Sequence, residues 1–168
     1  MNLLIIRHAK AEEGSGSFLG RERDTERRLT DAGRKSMRKA ATGLREIAPS
    51  IDLLATSPLA RARETAEIVA KAFDKADVTE LALLAPKGDK QALIDWLGGQ
   101  PANATIAVVG HEPDLSSLAG LLIDGNGGSR LTLKKGACCL IEFSDSPSAG
   151  NGTLLWLLQP GQLRKIDG

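Results

Sequence analysis

At 168 residues, 42% apolar and 26% charged, the chain has the size and composition of one globular domain with a substantial core, spanning 1–168. A formal net charge of +1 argues against broad affinity for nucleic acid, and no apolar run approaches the roughly 18 residues of a membrane span. The charge is uneven: residues 1–75 hold 15 Lys and Arg against 11 Asp and Glu, the remainder 7 against 10, and ten of those fifteen cations are arginines, the side chain suited to bidentate phosphate contacts.

Met1–Ile6 reads as a buried strand that runs into Arg7-His8. Its apolar core, Leu3–Ile6, is too short for a signal peptide, so a cytoplasmic location is expected. Ala11–Arg28 fits neither a helix nor a strand period. It reads as a long loop centred on Gly14-Ser15-Gly16-Ser17, and its charged end from Arg21 to Arg28 reads mostly as solvated, self-paired surface, with Arg27 the one cation singled out. Thr30 is a candidate N-cap for a helix bearing Met37, Ala40, Ala41, Leu44 and Ile47, which Pro49 ends. Ile51–Ala55 reads as a second strand. Ser57-Pro58 reads as a helix start, with a capping hydroxyl followed by proline at the first helical position. Leu59, Ala62, Ala66, Val69 and Phe73 form that helix's core face, while Arg61 points away from it towards the strand ends.

A third strand is expected near Val78–Leu81, then a short helix carrying Leu93, Ile94 and Leu97. Ala104–Val109 is a strand running into Gly110-His111, and a helix from Pro113 carries Leu115, Leu118, Ala119 and Leu122. Gly125-Asn126-Gly127-Gly128 breaks the chain before two strands, Ala137–Phe143 and Thr153–Leu158, joined as a hairpin. Cys138 and Cys139, adjacent in a strand, should face opposite sides as buried, unbridged thiols. Met37 and the alanine stripe read as core, and Trp96 and Trp156 as packing residues. Strand–helix alternation ending in a hairpin predicts an α/β domain whose sheet is mostly parallel with an antiparallel edge.

The chain has two histidines, and each ends a strand. In an open α/β sheet, ligands bind at the carboxyl ends of the strands, so parallel neighbouring strands would bring both imidazoles to one place. Arg7 lies beside the first, and Arg61, at a helix N-terminus, adds a cation where free N–H groups already favour anions. One imidazole could attack and the other donate, with the arginines holding an anion. No P-loop pattern is present, and nothing resembles a metal-binding cluster.

These residues fall in longer motifs. Leu4-Ile5-Ile6-Arg7-His8-Ala9, Asp24-Thr25-Glu26-Arg27-Arg28-Leu29-Thr30-Asp31-Ala32-Gly33, Ser57-Pro58-Leu59-Ala60-Arg61-Ala62-Arg63-Glu64-Thr65-Ala66 and Gly110-His111-Glu112-Pro113 resemble, in order, the motifs of the histidine phosphatase superfamily. The likeness is to its small, SixA-type phosphohistidine phosphatase branch and runs from residue 2 to about 166. Arg28 stands where the family has proline, and Ala9 where most of it has glycine.

The resemblance implies a phosphoglycerate mutase-like fold, a three-layer α/β/α sandwich. It implies that His8 becomes a covalent phosphohistidine, that Arg7, Arg61 and His111 are catalytic phosphate contacts, that Arg27 is a further contact, and that no metal or other cofactor is needed. No motif fixes a general acid; Glu80, Asp89 and Glu112 are candidates by position, each reading more readily as a surface carboxylate. A departing imidazole needs less protonation than a departing alkoxide, and the chain is short for a pocket lid beyond Gly14–Gly20. Both features favour a phosphohistidine-bearing protein, such as a histidine phosphotransfer domain, as partner. A small phosphate ester turned over by the same His8 chemistry and a non-catalytic phosphate-binding relative are the alternatives.

Overall fold

Leu3–Ile6 is apolar on both sides of its pleat, so the strand needs cover on both faces. The computed structural model, which describes residues 1–13, 24–74, 76–128 and 130–166, shows that cover. Strand β1 (Asn2–Arg7) lies inside a six-stranded sheet with β2 (Leu53–Thr56), β3 (Val78–Glu80), β4 (Thr105–Gly110), β5 (Cys138–Glu142) and β6 (Thr153–Leu158), in the order β3-β2-β4-β1-β5-β6. The first four strands in that order are parallel, and β5 and β6 add the antiparallel edge.

Among the described residues, the longer helices are α1 (Asp31–Ile47), α2 (Ala60–Ala72), α3 (Lys90–Gly98), α4 (Asp114–Asp124) and α5 (Pro160–Ile166). Leu4 and Ile6 share a buried cluster with Met37 and Leu44 of α1, Ala66 and Val69 of α2 and Leu163 of α5. Leu3 and Ile5 share another with Leu93 and Leu97 of α3 and Leu118 and Leu122 of α4. The architecture is therefore three layers, α/β/α. Burying each such side chain stabilises by about 1.5–3 kcal/mol, enough to hold the central strands against the cost of ordering them. Cys138 and Cys139 fall one in each cluster, and burial raises both thiol pKa values, Cys139 to about 12. Trp156 packs beside the first cluster and Trp96 beside the second. Among the described residues no helix is long and apolar enough to cross a membrane.

Register places the strand ends level. Arg7 is opposite Gly110, and Thr56 is opposite Val109, so His8, Ser57 and His111 emerge one residue beyond three adjacent strands. The cap on α1 is as expected, with Thr30 Oγ1 accepting from Gly33 N at 3.0 Å. Gly33 is required there for space: a Cβ would lie 2.1 Å from the Lys10 carbonyl oxygen, two residues past His8.

Three expectations change. Helix α2 begins at Ala60 rather than at Pro58, and Leu59 is its N-cap without a side-chain bond, while Ser57 Oγ accepts from Leu59 N just before the helix and also meets His111. The chain after β6 forms α5, which packs so closely on α1 that a Cβ on Gly43 would lie 2.1 Å from Leu163 O. The expected loop over Ala11–Arg28 is interrupted by a bridge between Ala11 and Leu29 and by a helical turn at residues 24–26. Its glycine-dotted centre, Gly14–Gly20, and Arg21 lie outside the described residues.

Candidate active site

His8 is buried, and its Nδ1 donates to the Ala9 carbonyl at 2.7 Å. A carbonyl only accepts, so Nδ1 carries the ring proton and Nε2 keeps its lone pair. Loss of solvent around the ring, with further lowering from His111, Arg61 and Arg7, outweighs that hydrogen bond and takes the His8 pKa down to about 3. The ring is a neutral imidazole at pH 7.

His111 lies against it, with ring centroids 5.1 Å apart and planes inclined by 55°. Burial first, then Arg61, lowers its pKa to about 4. Its Nε2 is 2.8 Å from Ser57 Oγ, which already accepts from Leu59 N at 3.3 Å. When the hydroxyl donates to Nε2, the ring proton of His111 lies on Nδ1, the tautomer that can donate to a ligand.

The arginines arrive from two sides. Arg7 NH1 donates to Leu133 O at 2.6 Å, tying the end of β1 to the segment that leads into β5. Gly136, at φ +83°, turns that segment so that its N–H reaches the carbonyls of Arg7 and His8. Arg61 is 4% exposed on the first turn of α2; its NH1 donates to Asp24 O at 2.7 Å and its NH2 to Asp24 Oδ2 at 3.2 Å. Thr65, one turn along α2, donates to Arg61 O at 2.7 Å and accepts from Ala9 N at 3.1 Å, so α2 buttresses the backbone beside His8.

After these bonds, Arg7 Nε, Arg61 Nε and His111 Nδ1 remain buried with no partner. Leaving buried N–H donors unmet costs about 1–3 kcal/mol each, more when charged. Nitrogens left without a protein partner, on arginines whose charge is felt by both buried imidazoles, suit an oxyanion as ligand.

Four expected site residues, Arg7, His8, Arg61 and His111, are thus assembled at the strand ends. Arg27 reaches the same cluster through Asp24, whose Oδ1 is 2.7 Å from Arg27 Nε while its Oδ2 takes Arg61. Of the carboxylates, Asp89 caps α3, accepting from Gln91 N and Ala92 N. Glu80 pairs with Arg63 at 3.2 Å, and it ends a strand three spacings, about 14 Å, from β1. Glu80 is thus away from the His8 cluster, whereas Asp89 stands between Gly88 and Lys90, which line a pocket with His111. Glu112 follows His111 directly; its Oε2 accepts from Ser116 Oγ at 2.5 Å and its Oε1 is buried without a partner.

Sequence reasoning missed Ser57, Thr65 and Asp24. Ser57 and Thr65 lie in the same motif as Arg61, which was the available signal. Asp24 opens the motif that contains Arg27, which was its signal, although the alternating charges around it look like ordinary surface.

Comparison with known proteins gives the family and the fold. Residues 3–85 match the family model of the histidine phosphatase superfamily, branch 1. An uncharacterised protein of Picosynechococcus sp. is 34% identical over 137 residues, covering 80% of this chain and 81% of its own. The structure of the protein histidine phosphatase SixA complexed with tungstate superposes with a TM-score of 0.82 at 26% identity, covering 97% of this chain and 99% of that one. A candidate α-ribazole-5′-P phosphatase from Escherichia coli shares the fold, with a TM-score of 0.75 at 19% identity over 95% of this chain and 98% of its own. The chain belongs to the histidine phosphatase superfamily, and phosphatase is the enzyme class that membership supports.

Proposed function

We propose that this chain hydrolyses phosphohistidine on a protein partner, with His8 as the nucleophile. The observation that carries the reading is a buried neutral imidazole with a free Nε2, set among unpartnered Arg7 Nε, Arg61 Nε and His111 Nδ1. His8 Nε2 attacks phosphorus in line, and the bond from phosphorus to the substrate's imidazole nitrogen breaks, its electron pair leaving on that nitrogen. The two arginine N–H groups and the His111 Nδ1–H donate to the non-bridging oxygens, and Arg27 offsets the Asp24 carboxylate that holds Arg61 in place. Water then attacks the phosphohistidine at His8, releasing phosphate and restoring the neutral ring.

Acid assistance decides the substrate class. An imidazole departs with modest help and can take its proton from solvent, whereas an alkoxide needs a placed acid. Glu80 is held in an ion pair and Asp89 caps α3 through Oδ1, and neither is hydrogen-bonded to His8 or His111, which supports the phosphoramidate. The unpartnered Oε1 of Glu112, and Asp89 Oδ2 outside the cap, favour a phosphate monoester instead.

Phosphate release from a phosphorylated histidine phosphotransfer domain and from an aryl phosphate, compared as kcat/KM near pH 7, separates the two. We expect the phosphoprotein to be preferred by at least about 100-fold. Preference for the aryl phosphate, with a loss in Glu112→Gln, would move the assignment to a small-molecule phosphomonoesterase.

A further inference from the structure

We infer that the groove between α1 and α2 docks an acidic segment of the phosphoprotein partner beside the His8 site. The inference rests on the protein-substrate reading above and adds where that protein is held.

The groove encloses about 590 Å³. Its walls carry Arg28, Arg34 and Arg38 on one side and Arg63 and Lys71 on the other, against two carboxylates, Glu64 and Glu67. Arg34 and Arg38 are one helical turn apart on α1 and face α2, so the cations form a row rather than a scatter. One end of the groove adjoins the site: Arg28 follows Arg27, and the lining residue Ala60 precedes Arg61.

The cations divide into two groups. Glu64 takes Arg34 at 2.8 Å and Arg28 at 3.8 Å, and also accepts from Leu29 N at 3.1 Å, which fixes the wall next to the site. Arg63 pairs with Glu80. Arg38 and Lys71 make no ion pair among the described residues, and neither does Glu67. Two exposed cations facing one carboxylate therefore remain for an anionic partner.

The chemistry of the lining selects a protein segment. Ile68 is half-buried in the groove and offers an apolar contact between the charges. A side chain such as leucine can use it while neighbouring Asp or Glu residues meet Arg38 and Lys71. A continuous phosphate backbone would run over Glu64 and Glu67, and a flat bilayer does not enter a concave groove. Charge complementarity of this kind sets encounter rate and register more than final affinity, and it weakens with salt.

The test uses the double charge reversal R38E/K71E, at two exposed residues outside the His8 cluster. A fluorescent glutamate-rich peptide with interspersed leucines and no phosphate is titrated by anisotropy at low and high salt. We expect the wild type to bind it, with Kd rising about tenfold or more in the variant and in high salt. On the phosphorylated phosphotransfer domain, KM should rise by a similar factor with kcat unchanged. Turnover of a small phosphoramidate should stay within about twofold. Equal peptide binding by both proteins, no binding by either, or preferential binding of single-stranded DNA or anionic vesicles would overturn the proposal. The peptide titration needs no catalysis, so groove-dependent binding without phosphohistidine turnover would count against the enzymatic reading alone.

Discussion

His8→Ala is expected to lower phosphate release by about 10⁴-fold or more, with the fold intact. The size follows from the step removed: without Nε2 no covalent intermediate forms, and the remaining donors only bind the phosphoryl group. The side chain's hydrogen bond is to the adjacent Ala9 carbonyl, and the backbone there is held independently by His8 N to Gly110 O and Ala9 N to Thr65 Oγ1. A thermal melt close to wild type should accompany the lost activity. Retention of more than about a hundredth of the activity would show that another group attacks.

Arg61→Ala should cost about 10²–10³-fold, carried mainly in kcat, which is about 3–4 kcal/mol of transition-state stabilisation. Arg61 supplies a buried charge and an Nε–H that has no other partner, while Asp24 holds the guanidinium's other nitrogens and so fixes its direction. Arg61→Lys should recover little, because an ammonium keeps the charge but cannot span both Asp24 and an oxyanion in one planar fork. Steady-state kinetics of the two variants checks this. A loss under tenfold in Arg61→Ala, or full activity in Arg61→Lys, would remove Arg61 from the site.

The strand ends were legible because two physical rules converge there. A fully apolar run reads as a strand covered on both faces, and ligand sites form where parallel strands stop. Arg7-His8 and Gly110-His111 needed only adjacency of β1 and β4 to meet, and the register supplies it. The Cys138-Cys139 pair was equally readable from the two-residue period of a strand.

What was lost depended on side-chain direction. Ser-Pro is a strong local helix signal, yet the helix starts two residues later, at Ala60, and the Ser57 hydroxyl also meets His111, fifty-four residues away in sequence. Nothing local reports that contact. Asp24 was visible only as the first residue of the Arg27 motif, and its contact with Arg61, thirty-seven residues on, has no periodic or apolar signal. Helix α5 is only seven residues long, too short to show a period, and it is stabilised by burying Leu163 against α1 rather than by its own propensity.

The most direct measurement is to mix the protein with the phosphorylated phosphotransfer domain, quench within milliseconds under alkaline denaturing conditions that preserve phosphohistidine, and map the modified residue by mass spectrometry. The account expects the phosphoryl group on His8 in the wild type and no trapped intermediate in His8→Ala. A phosphoryl group on His111, or rapid phosphate release with no phosphoenzyme at any time point, would contradict it.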